Sequence, residues 1–240
     1  MSRHTDFILS PISNVLKEVV SANSGIGNGI ETYPLGEYIL QAVFLKMTGF
    51  QEQKMKCICW ELATEDYEYR YDRYTKAPLG ECSSYKEKNT IYNDIINVIR
   101  KHKSNFDPKS TWDKATLQLS TRNEIKNIFL ATNLSSWVQN TFSDFIIDNS
   151  ILPTTQFVTG NDKLNNLFES TLIERYGMLY NHRNRCAHNT LSYQENLPTL
   201  KTISHPNYKY DTYFVRFALL LLIDKIFIEL YTQYKLVIEE

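Results

Sequence analysis

The chain reads as all-α: an antiparallel helical bundle carrying additional N-terminal helices. Three observations predict this. Apolar residues recur at i, i+3, i+4 and i+7 along much of the 240 residues, the patterns are nearly all helical, and no internal repeat or low-complexity tract interrupts them. A chain of this length buries a substantial core without staples. The expected organisation is a single α-helical domain spanning residues 1–240, with an extension or cap over residues 1–88 and the bundle over residues 89–240.

In order, Phe7, Ile8, Ile12, Val15, Leu16, Val19 and Val20 predict a first helix over Asp6 to Ala22, with Pro11 in its first turn. Ser24 to Gly29 is glycine-rich. No strand precedes these glycines and no Gly-Lys-Ser/Thr follows, so they read as a loop and not as a phosphate cradle. Leu35 to Met47 and Gln51 to Glu65 read as two helices parted at Thr48-Gly49-Phe50. Tyr67 to Tyr74 alternates aromatic with charged residues, as a strand or an exposed helix end does; tyrosines and arginines so interleaved are also able to stack bases. Thr75 to Glu87 reads as a loop and Thr90 to His102 as a helix. Ser120 to Glu124 looks like a helix start, and Leu134 to Ile147 continues as helix. Ile151 to Asn161 breaks the pattern. From Asp162 a helix is expected through Leu164, Leu167, Phe168, Leu172, Tyr176, Leu179 and Arg183. Asn189 to Tyr210 reads as a polar loop, and Asp211 opens a last helix to about Ile238.

Composition excludes little by itself. The net charge is −1, so nothing global marks a nucleic-acid binder. Locally, Arg175, Arg183, Arg185, Lys201, Lys209 and Arg216 face only Glu195 and Asp211, a basic zone compatible with phosphate. The apolar run Phe217 to Ile223 is far shorter than the roughly 20 residues of a membrane span and reads as a buried helix. Cys57, Cys59, Cys82 and Cys186 form no paired CxxC, which fits a reduced, cytoplasmic protein. Cys57 and Cys59 diverge by about 200° on a helix, so core thiols are expected there and no metal.

One stretch concentrates chemistry: Tyr176 to Asn189, ending Asn181-His182-Arg183-Asn184-Arg185-Cys186-Ala187-His188. Asn184 and His188, four apart, share a helix face. Arg183 is offset from His188 by about 140°, within reach of a long side chain. The arginine, the polar residue after it, the histidine three intervening residues further on, the helical stripe upstream and the long closing helix resemble the HEPN superfamily, over roughly Thr90 to Ile238. The resemblance implies a bundle that dimerises so that two motifs meet in one cleft. It also implies metal-independent endoribonuclease activity in toxin–antitoxin, antiphage or RNA-stress systems. The homodimer, the RNA substrate and an antitoxin or defence-system partner follow from it; no cofactor or membrane does.

Transferred to this chain, His188 is the general acid or base, since an imidazole titrates near pH 6.5. Arg183 holds the phosphate. Asn184 orients the phosphate or His188. Arg185 and His182 are expected to contact RNA or the partner protomer. Family members modified by a nucleotidyltransferase antitoxin carry a tyrosine two residues after the histidine; Thr190 stands there, with Tyr193 five away, so that mechanism is not carried over. Two bland readings stand beside these: Arg183, Asn184 and His188 form a structural polar cluster that satisfies helix-end carbonyls or fixes a dimer, or the chain is a catalytically silent RNA-binding or protein-interaction module.

Overall fold

A computed structural model describes residues 3–27, 29–136, 138–161, 164–188, 200, 204 and 206–239. The chain is all-α apart from one short hairpin. Its axis is the last helix, α11, spanning Tyr213–Glu239. From Phe214 to Ile226 every side chain but Lys225 is buried, so this helix is apolar nearly all round, as a helix enclosed on every side must be. The run Phe217 to Ile223 is thus buried, and no helix among the described residues is long and apolar enough to cross a membrane.

Around α11 pack α1 (Arg3–Leu9), α3 (Tyr33–Glu65), α5 (Tyr85–His102), α7 (Lys114–Phe129), α9 (Gln139–Ile147) and α10 (Ser170–His188). The helix α2 (Ser13–Ala22) lies against α3 and α7. Shorter helices are α4 (Tyr67–Tyr71), α6 (Pro108–Thr111) and α8 (Asn133–Ser136). One apolar cluster extends from Ile8 to Tyr234, so the N-terminal helices share a core with the rest.

The first helix is two. Asp6 to Ala22 is divided at Ser10-Pro11-Ile12, because proline excludes the helical conformation from the residue before it and has no N–H to give. The freed backbone is taken up by a buried ion pair, Lys54 to Asp224 at 2.6 Å: Ile12 N–H donates to Asp224 Oδ2 at 2.8 Å, and Lys54 donates to the Ser10 carbonyl. Conversely, the two helices expected on either side of Gly49 are one. The helix α3 runs 33 residues without interruption, with Pro34 in its first turn and Leu40, Phe44, Met47, Gln51, Met55, Ile58 and Leu62 on its buried face. Cys59 is buried and Cys57 half-buried.

Of the two alternatives for Tyr67 to Tyr74, helix is what forms, continued by a π turn over Asp72–Lys76. Tyr67, Tyr71 and Tyr74 are exposed while Tyr69 is buried. The helix α5 starts earlier than periodicity indicated, at Tyr85. There Ser84 Oγ accepts from Glu87 N–H and the Glu87 carboxylate accepts from Ser84 N–H at 3.0 Å, a reciprocal cap. The start expected at Ser120 to Glu124 is mid-helix. Asp113 caps α7 instead, and Ser120 and Thr121 bond back to the Leu117 carbonyl at 3.1 and 2.8 Å. Leu134 to Ile147 is divided between α8 and α9; Trp137 is outside the described residues.

The largest departure is at 157–168, expected to be a break and then a helix. It forms an antiparallel hairpin of β1 (Phe157–Asn161) and β2 (Leu164–Phe168), with Phe157 opposite Phe168 and Thr159 opposite Asn166. Side chains of α5 bind the backbone of β2. Asn89 Oδ1 accepts from Leu167 N–H at 2.8 Å, Asn93 donates to the Asn165 carbonyl at 2.9 Å, and the Tyr85 hydroxyl donates to the Phe168 carbonyl at 2.8 Å. The helix α10 therefore begins at Ser170 rather than Asp162.

Candidate functional site

The helix α10 presents Leu172, Arg175, Tyr176 and Leu179 inward, at the 3–4 spacing of one face, against α3, α5 and α11. The same face continues into His182, Arg183 and Cys186. His182 lies inside, half-buried. Its ring centroid is 5.4 Å from that of Phe44 and 5.3 Å from that of Tyr213, the latter edge-on. Its Nδ1 stands 3.4 Å from Arg185 Nη2, and its Nε2 stands 3.3 Å from the Tyr213 hydroxyl and 3.4 Å from Cys186 Sγ. A guanidinium only donates, so Nδ1 accepts and the imidazole proton sits on Nε2. Burial, reinforced by the Arg216 and Arg185 charges, holds the His182 pKa down to about 3. At neutral pH His182 is an uncharged aromatic spacer, a role unlike the RNA contact expected of it.

Arg183 reaches across to α3. Its Nη2 donates to both Glu52 carboxylate oxygens, at 3.1 and 3.2 Å, and its Nη1 donates to Asn184 Oδ1 at 3.1 Å. Arg183 and Asn184 are thus joined on one turn. His188 is the last residue of α10, one turn beyond Asn184; its side chain lies outside the described residues, as do Thr190 and Tyr193.

Arg185 faces Asp211 at 3.8 Å. Asp211 also accepts from the buried Arg216 at 2.5 Å, and the Arg216 guanidinium lies 5.0 Å from the centre of the Tyr213 ring. Arg175 is buried too, donating to the Ser150 carbonyl at 2.7 Å and stacked 3.8 Å over the Tyr210 ring. The basic zone expected from Arg175 to Arg216 is therefore turned largely inward: each of its four arginines has a partner within the chain. Among its lysines, Lys209 is exposed, and Lys201 is outside the described residues.

Behind Arg183, a small cavity is lined by Gln51, Glu52, Lys88, Tyr176 and Arg183 among others. Lys88 is 2% exposed; its ammonium donates to the Cys82 carbonyl at 2.6 Å and lies 5.8 Å from the Tyr176 ring centre. The Tyr176 hydroxyl donates to the Ser83 carbonyl at 2.6 Å. Burial brings the Lys88 pKa down to about 8, against the upward pull of Glu52, Cys82 and Glu87, with Arg183 adding to the fall. Among the described residues no three His, Cys, Asp or Glu side chains gather as a metal site.

Sequence reasoning missed Glu52, Lys88, Asp211 and Tyr213 as neighbours of the motif. For Lys88 a signal was present: it occupies the apolar stripe Lys88, Ile91, Tyr92, Ile95, Ile99, where a charge requires a partner. Glu52 carried none, since it is 131 positions from Arg183. Comparison with models of protein families, with curated proteins and with solved structures finds no match to this chain.

Proposed function

We propose that this chain is a HEPN-type, metal-independent endoribonuclease of the cytoplasm, working as a homodimer and serving as a toxin or as an antiphage or stress effector under an antitoxin or defence partner. The observation that supports it is the Arg183–Asn184 pair. A guanidinium and an amide are locked together at 3.1 Å on a rigid helix, one turn before His188. A site built on a helix holds its groups more closely than one on a loop.

RNA carries its own nucleophile. One His188 takes the proton from the 2′-hydroxyl as its oxygen attacks the adjacent phosphorus. Arg183 binds the non-bridging oxygens and stabilises their growing charge. Asn184 orients the phosphate against Arg183. The bond from phosphorus to the 5′-oxygen breaks, and the His188 of the second copy protonates that leaving oxygen. The product is a 2′,3′-cyclic phosphate and a free 5′-hydroxyl. The Glu52 carboxylate occupies the Nη2 edge of Arg183, and Nη1, bonded among the described residues to Asn184 alone, is the edge for phosphate. His182 and Arg185 brace the helix end from behind.

Purified protein is expected to cut single-stranded or loop RNA in EDTA and to leave cyclic phosphate ends, seen by mass spectrometry. His188→Ala and Arg183→Ala lower the rate by at least about a hundredfold, the scale of one general acid–base or one charge-stabilising group. Unchanged cleavage by His188→Ala refutes the assignment.

A second reading, a silent RNA- or protein-binding module, is favoured by the internal pairing of Arg175, Arg183, Arg185 and Arg216. Binding of RNA without cleavage selects it.

A further inference from the structure

Lys88 is not part of the motif, and its surroundings give it a role. It lines the same cavity as Glu52 and Arg183, with α5 carrying it and α3 and α10 supplying the walls that hold the other two. A buried ammonium is costly unless countered. Among the described residues, the titratable groups around it are Glu52 from α3, Cys82 from the preceding loop, Glu87 from its own helix, and Tyr176, Tyr180 and Arg183 from α10. Glu87 is engaged in capping α5, which leaves Glu52, bonded to Arg183, as the carboxylate that shares the cavity with Lys88.

We infer that Lys88, Glu52 and Arg183 act as one charge unit, in which Lys88 is a positioning residue that shares Glu52 with Arg183 and so sets how strongly Arg183 attracts an RNA phosphate. The RNA part of the inference rests on the nuclease reading; the coupling of the three charges does not. With Lys88 protonated the unit holds two cations and one carboxylate, and Arg183 keeps part of its charge for an incoming anion. Once Lys88 loses its proton, Glu52 neutralises Arg183 alone and the attraction falls. The Lys88 pKa near 8 puts this change within reach of ordinary buffers.

The test uses the full chain from pH 6.5 to 9.5. The Arg183 side-chain nitrogens are followed by NMR, and affinity for a fluorescein-labelled single-stranded 2′-O-methyl RNA, which lacks the nucleophile, is followed by anisotropy. In the wild type the Arg183 signals move near pH 8 and affinity drops roughly tenfold above it, with the salt slope shallower by roughly 0.7, one single-strand phosphate contact. Cys82→Ser keeps both steps, which separates Lys88 from the nearby thiol. Lys88→Met removes both and binds weakly throughout. Glu52→Gln binds more tightly and shifts the Lys88 titration further down, so it carries the test if Lys88→Met fails to fold. Arg183 signals that do not move near pH 8, or that move equally in Lys88→Met, overturn the proposal. Signals that move and respond to Lys88→Met and Glu52→Gln, with no RNA bound at any pH, uphold the charge unit and refute the nuclease reading.

Discussion

His182 shows how much a single side chain's setting decides. In sequence it is one of three histidines between residues 182 and 205, next to an arginine, and it invites reading as a cation. In place, two aromatic rings and two arginine charges keep it neutral. The pKa of the folded form lies below that of the unfolded chain, near 6.5, so the unfolded state takes up the proton first. Stability from this group is complete above pH 6.5 and is lost as pH falls toward about 3, at up to about 1.4 kcal/mol per pH unit. Urea melts at pH 7.0 and 4.5 measure it: His182→Phe is expected to flatten the difference between the two pH values. An equal acid loss in the variant assigns the effect to other groups.

At the scale of elements, the decisive cases are those where a local signal met a stronger distant one. Gly49 reads as a helix stop, yet α3 passes through it, because Met47, Gln51 and Met55 on either side belong to one buried face. A Cβ at Gly49 would meet no atom within 4 Å. Gly49→Ala is therefore expected to stabilise the protein by about 0.5 to 1 kcal/mol through the lost freedom of the unfolded chain, read as a rise in the denaturation midpoint at constant m. The hairpin is the opposite case. Leu164, Leu167, Phe168, Thr171 and Leu172 have helical spacing, but Asn89, Asn93 and Tyr85 bind the backbone of the strand and hold it extended. No property of residues 157–168 alone announces partners some seventy to eighty positions away.

Over the whole molecule, the pair Lys54 and Asp224 joins the break between α1 and α2, the middle of α3 and the middle of α11. Both side chains are nearly inaccessible, at 2% and 3%. Removing one partner leaves the other charge buried and unmatched, so Asp224→Ala or Lys54→Ala alone is expected to cost about 3 to 5 kcal/mol. The double replacement Lys54→Met with Asp224→Leu should recover most of that loss, since an apolar pair of similar volume removes both desolvation penalties. Chemical denaturation of the three variants checks this, and a double variant no better than the singles would argue against it. The same pair is one reason the first thirty residues belong to the common core.

The helical class, the late amphipathic helix α10, the buried character of the final helix and the position of the Arg183, Asn184, His188 motif at the end of α10 were determined by the sequence by itself. They rest on spacing within a few residues, which a 3.6-residue period exposes directly. Which charges are free was decided only by the tertiary structure. Arg175, Arg185 and Arg216 turn inward, Glu52 comes from 131 positions away to hold Arg183, and Lys88 settles beside them. The physical reason is that apolar periodicity is a local property of the chain, whereas the field at a charged group is set by whichever distant segments pack around it.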